Sequence, residues 1–218
     1  MRNSLRLLAG SGFLAASLAG VAGPAQAHPA VPPTVLSSGH VDAVDVEYED
    51  GQLELAVHDE ESDAEFAPSE VVLLVKKAAQ TAVPDDANYA FLGDPGDSVW
   101  ILPEIQNPDL LWAGLSTEEL EAGVFAGDQV SIDVQNVRGP GDVAVFTSDA
   151  VGTPNVLVDS GDGLPDTVAL GAGSHEHVNW AFERPGTYKL TVSASATLAG
   201  SGETVTSEPA TYTFKVQK

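Results

Sequence analysis

Between His40 and Asp59 the chain alternates with a period of two on either side of one tight turn. Val44, Val46 and Tyr48 are interleaved with acids, Asp50-Gly51 forms a two-residue turn signal, and Leu53, Leu55 and Val57 resume the pattern. Successive strand residues face opposite sides of a sheet, and Asp-Gly is a strong hairpin signal. One register therefore places Tyr48 opposite Leu53, Val46 opposite Leu55 and Val44 opposite Val57, with all six on one buried face. The same alternation recurs at Val178/Trp180/Phe182, Tyr188/Leu190/Val192 and Tyr212/Phe214/Val216. Further strands are expected at 71–75 (buried on both faces), 130–137, 143–147 and 156–159. Many short strands separated by turn signals define an all-β chain, an antiparallel β-sandwich of the Ig-like kind. Ser116-Thr-Glu-Glu119 carries helix-start signals for one short helix ending near Gly123. The Gly-, Pro- and Asp-rich stretch 84–112 reads as a long irregular insertion.

The opening residues do not belong to this pattern. Arg2 and Arg6 precede an apolar run over 7–21, and Ala25-Gln26-Ala27 fits a small-residue cleavage site. Residues 1–27 are read as a secretory signal peptide, 28–38 as a proline-bearing extended arm, and 39–218 as a single β-sandwich domain. The expectation is a secreted or cell-surface protein, with cell-wall association as an option and no transmembrane segment after cleavage. The chain has 9 Lys and Arg against 32 Asp and Glu, a net charge of −23. That balance excludes nucleic acid as a partner, because such binding rests on cationic side chains neutralising phosphates. With 0 Cys, disulfides, thiolate metal sites and cysteine nucleophiles are all excluded, so packing alone holds the exported domain together.

Histidines carry the clearest chemistry. His175 and His177 lie at i and i+2 and project from the same side of a strand, so two imidazoles can converge on one ion. A zinc site takes three or four ligands from His and carboxylates. His40 and His58, at the open end of the first hairpin, are the completing candidates, with Asp42, Asp59 and Glu176 able to fill the shell. In strict register His40 falls on the core face and His58 on the outer one, so the two meet only if the ladder ends or bulges. The metal is expected to be Zn²⁺, with Mn²⁺ or Cu²⁺ as alternatives. An N-terminal His28, if cleavage falls before it, offers an amine and an imidazole to copper; this is a separate, copper-oxidase reading. The run 159–166 looks calcium-like but lacks the order of an EF-hand loop, and reads as a polar turn. No G-x-S-x-G elbow occurs, and the protein is expected not to be an enzyme. Trp100 and Trp112 are the two aromatics outside the inward strand pattern. They support a rival reading as an adhesion module for cell wall, glycan or a protein partner.

Several segments, in order, resemble the actinobacterial surface-anchored protein domain, found in proteins grouped as choice-of-anchor M. They are Gly39-His-Val-Asp42, Tyr48-Glu-Asp-Gly-Gln-Leu53, Val57-His-Asp59, Phe91-Leu-Gly-Asp-Pro-Gly96, Val99-Trp-Ile-Leu-Pro103, Leu111-Trp-Ala-Gly-Leu-Ser-Thr-Glu118, Gly139-Pro-Gly141, and His175-Glu-His-Val-Asn-Trp-Ala-Phe182 with Pro185-Gly-Thr-Tyr188. The resemblance implies a secreted or wall-attached β-rich domain without established enzymatic activity, associated with metal-uptake ABC transport systems. A substrate-binding component of such a transporter, or another surface protein, is the implied partner. The family's histidine positions carry over onto His40, His58, His175 and His177.

Overall fold

A computed structural model describes residues 32–218, which form one compact unit. The signal peptide (1–27) and His28 lie outside the described residues. Among the described residues there are seventeen strands: β1 (Thr34–Leu36), β2 (Gly39–Glu49), β3 (Gln52–Asp59), β4 (Ala64–Phe66), β5 (Val71–Val75), β6 (Gln80–Ala82), β7 (Ser98–Leu102), β8 (Leu111–Ser116), β9 (Phe125–Arg138), β10 (Val143–Ser148), β11 (Pro154–Asp159), β12 (Asp166–Gly171), β13 (His175–His177), β14 (Asn179–Phe182), β15 (Gly186–Leu198), β16 (Thr204–Thr206) and β17 (Ala210–Val216).

They build three sheets. The largest runs β1-β5-β17-β15-β9-β12, with β16 beside β15. The second runs β11-β10-β14-β7-β6 and the third β13-β8-β2-β3-β4. The two five-stranded sheets pack on the large one: Tyr48 of β2 meets Phe125 of β9 edge-on at 5.2 Å, and Trp180 and Phe182 of β14 lie 5.2 and 5.1 Å from Phe214 of β17. The fold is thus an all-β, sandwich-like architecture, as expected from the alternation. Trp180, Tyr188, Tyr212 and Phe214 are almost fully enclosed, and each such side chain contributes about 1.5–3 kcal/mol of burial. In a chain with 0 Cys, this apolar contact takes the place of covalent staples.

Three expectations need correction. No α-helix follows Ser116: Leu120 N–H donates to the Thr117 carbonyl in a turn, and Leu120 is buried. The only helices among the described residues are 3₁₀ turns at Pro68–Glu70, Lys77–Ala79 and Ala87–Leu92. The stretch 84–112 is not an irregular insertion, because it supplies β7, whose Val99, Trp100 and Leu102 are buried. The region read as an arm contributes β1, paired in parallel with β5.

Two irregularities place the site. Tyr48↔Leu53 and Val46↔Leu55 pair as the hairpin demands, but the pairing then runs Asp45↔Ala56 and Asp42↔His58. Two residues of β2, Ala43 and Val44, therefore oppose one of β3, a β-bulge, and both are buried. The extra residue turns His40 and Asp42 off the core face, onto the side that carries Asp45 and Glu47. The second irregularity lies at Val178, fully buried, where the chain leaves β13 in the third sheet and enters β14 in the second.

Candidate metal centre

The open face of the third sheet assembles the site. Strand β2 runs parallel to β8 with His40↔Trp112 and Asp42↔Gly114 paired, and β13 runs antiparallel to β8 with His177↔Gly114 and His175↔Ser116 paired. Three neighbouring strands thus bring His40, Asp42, His175 and His177 around Gly114. Thr117, fully buried, fixes the edge strand in place. Its hydroxyl donates to the Gly171 carbonyl at 2.6 Å and accepts from Ser174 N–H at 3.1 Å, and its own N–H donates to the Ser174 carbonyl at 2.8 Å.

His40 Nε2 lies 3.0 Å from both His175 Nε2 and His177 Nε2. Asp42 Oδ1 lies 2.8 Å from His175 Nε2 and 3.8 Å from His40 Nε2. A tetrahedral ion holding nitrogens at about 2.0–2.1 Å keeps them roughly 3.3 Å apart, close to the spacing here. Gly114 forms the floor: a methyl added there would stand 3.0 Å from Asp42 Oδ1 and 3.1 Å from His175 Nε2. A side chain at 114 would fill the space on which the ligand atoms converge.

Electrostatics points the same way. His175 Nδ1 is 2.7 Å from Glu118 Oε2; with Nδ1–H donating to that carboxylate, the neutral ring presents the lone pair of Nε2. That lone pair faces Asp42 Oδ1, which is buried and makes no hydrogen bond. Two electron-rich atoms at this separation need a proton or a cation between them. Burial, more than any other cause, pushes the Asp42 carboxyl up to about 7, with His175 opposing and Asp45 and Glu60 reinforcing. Burial also lowers His177 to about 4, with His40 and His175 adding to the shift. His40 is lowered by burial and by His175. His177 is therefore neutral at physiological pH, the state that ligates metal.

Trp112 walls the cluster. Its indole stacks on His177 at 3.5 Å and 5°, and its Nε1–H donates to the Glu104 carbonyl at 2.8 Å. Trp112 belongs to the His site, and Trp100 is 5 % exposed within the core, so neither offers an open sugar platform.

Of the four histidines nominated from sequence, His40, His175 and His177 come together, and with Asp42 they can hold a metal ion. His58 does not join them. It stands opposite Asp42 on β3, but its Nδ1 faces Glu60 at 3.4 Å and its Nε2 faces Asp63 at 3.6 Å. Asp59 accepts from Ser62 and from the Glu61 N–H instead, and Glu176 is exposed. A second donor set overlaps the first: Asp42, Glu60, Glu118 and His175. Gly114 and Glu118 are absent from the sequence-based candidates, and Trp112 is singled out there only as an exposed aromatic for adhesion; the available signal was the block 111–118, noted for its resemblance. The calcium-like run 159–166 is a polar turn, with Asp159 Oδ1 accepting from Gly161 N–H and Asp166 Oδ2 from Asp159 N–H.

What fold and site define is an all-β sandwich bearing a three-histidine, one-carboxylate cluster on an open sheet face. No family model matches the chain, and comparison with curated proteins found no match. No helix among the described residues is long and apolar enough to cross a membrane.

Proposed function

We propose that this protein is a non-catalytic, extracytoplasmic binder of a divalent transition metal, Zn²⁺ in the first instance, held by His40, His175, His177 and Asp42. The observation that carries this reading is the convergence of three Nε2 atoms and an unpartnered buried carboxylate oxygen over a glycine floor. Three histidines gather within 4.8 Å of one another, and Asp42 stands 2.8 Å from His175 Nε2 as the available fourth donor; a shell filled by protein groups, unlike hydrolytic zinc sites that keep one position for water, favours capture over catalysis. Export rests on the leader read in residues 1–27. Delivery to a metal-uptake ABC transport system rests on the resemblance to surface-anchored domains.

The test is metal retention. Protein mixed with Zn²⁺ and desalted should carry one equivalent, and the His175→Ala/His177→Ala double variant should carry none. Equal retention by the two proteins refutes the site.

A further inference from the structure

Beyond the His cluster, the same sheet face holds a second concavity of about 300 Å³. It is lined by Asp45, Glu47, Glu49, Asp63, Glu65 and Glu119, with Tyr48 and His58 beside them and no Lys or Arg. Strands β2, β3 and β4 bring these groups together: Glu47 and Asp45 follow the bulge on β2, Ala56 lies opposite Asp45, and Glu65 pairs with His58. Asp45 is the decisive member. It is 3 % exposed, and its Oδ1 is buried without any hydrogen bond. A carboxylate oxygen taken out of water and given no donor is costly unless a cation meets it.

We propose that this concavity is a second cation site, distinct from the His cluster, that takes a partly hydrated Ca²⁺-type ion on Asp45, Glu47 and Glu65. Six carboxylates against the one imidazole of His58 make the donor set oxygen-rich, which suits hard ions. These carboxylates do not gather in threes within 4.8 Å, as the donors around His175 do, so at most two of them touch the ion directly, the third holds it through a water, and further waters complete the six to eight ligands such an ion takes. An organic amine would want apolar walls along its stem, and Tyr48 is the only aromatic here. In agreement, burial and then the neighbouring Glu65 push the Glu47 carboxyl up to about 7: without a cation, the crowded acids hold a proton instead. His58, 3.4 Å from Glu60 and 3.6 Å from Asp63, lines this concavity and lies opposite Asp42 of the other site.

The experiment is thermal melting of the metal-free protein with CaCl₂, with NaCl of matched ionic strength as control. At ten times Kd, Ca²⁺ should raise Tm by roughly 3–6 °C. The rise should vanish in Glu47→Gln/Glu65→Gln and persist in His175→Ala/His177→Ala, so this site and the His cluster stand or fall separately. Tb³⁺ offers a second readout, since Tyr48 should sensitise its luminescence and Tyr48→Phe should abolish the signal. An equal rise in the Gln variant, an equal rise with NaCl, or a larger rise with spermidine than with Ca²⁺ at the same concentration would each overturn the proposal.

Discussion

Gly114→Ala probes the metal centre without removing any ligand. The added methyl would lie 3.0 Å from Asp42 Oδ1, 3.1 Å from His175 Nε2 and 3.3 Å from His177 Cε1. All three separations are tighter than ordinary contact, so the imidazoles and the carboxylate must each retreat by a few tenths of an ångström. Gly114 is not among the glycines with positive φ, and alanine fits the strand backbone without strain. The effect therefore falls on the donors rather than on the fold. Misplacing ligands in this way typically weakens metal binding about 10–100-fold. With Zn²⁺ at 100 times the wild-type Kd, binding adds about 2.7 kcal/mol, a rise in Tm of roughly 5–11 °C for a domain of this size. A 100-fold weaker variant at the same Zn²⁺ gains about 0.4 kcal/mol, or roughly 1–2 °C. Differential scanning fluorimetry with and without Zn²⁺, beside a competition titration for Kd, measures both quantities. A variant with the wild-type Kd and the wild-type Zn²⁺-induced shift would show that the ion does not sit over residue 114.

Glu118→Gln should weaken Zn²⁺ binding about 10–100-fold by removing the carboxylate that orients His175, read by the same competition titration. His58→Ala should leave Zn²⁺ stoichiometry and Kd unchanged, since its ring pairs with Glu60 and Asp63. Because Trp112 stacks on His177 at 3.5 Å, Cu²⁺ should quench tryptophan fluorescence, and Trp112→Phe should remove most of that quenching while Trp180 stays buried. Glu47, raised in the folded protein to about 7 from an ordinary value of 4.5, binds its proton more tightly folded than unfolded. Its stabilising contribution is present at low pH and is lost as pH rises from about 4.5 through 7. Metal-free Glu47→Gln should therefore lose less Tm than wild type between pH 5 and pH 8.

Period-two alternation was enough to specify the sandwich class, because each strand needs only a correct in-out pattern to be recognised. It also placed His175 and His177 on one side of a strand, as β13 bears out. The bulge at Ala43 and Val44 was not legible: both residues suit a strand, and the extra one appears only when β2 meets β3 and β8. Strict alternation consequently assigned His40 to the core face and paired Val44 with Val57. Gly114 and Trp112 escaped for a related reason, since the parallel pairing of β2 with β8 joins segments some 70 positions apart. The helix expected after Ser116 failed because its polar residues serve the turn that anchors Ser174 to Thr117. His58 shares an outer face with Asp42, and only the acids from the following turn reveal why its ring looks elsewhere.

The flat indole of Trp112 has a consequence for traffic. With that plate against His177 and the backbone of β8 beneath, two flanks of the ion's seat are shut. The remaining rim is marked by Glu60 and Glu118, both exposed. On the proposed reading, a departing metal would pass these two oxygens and trade nitrogen for oxygen ligands on its way, and an arriving one would do the reverse. Any recipient protein that the proposed function calls for would have to approach over that rim, and would do so best with a donor of its own set between those two carboxylates.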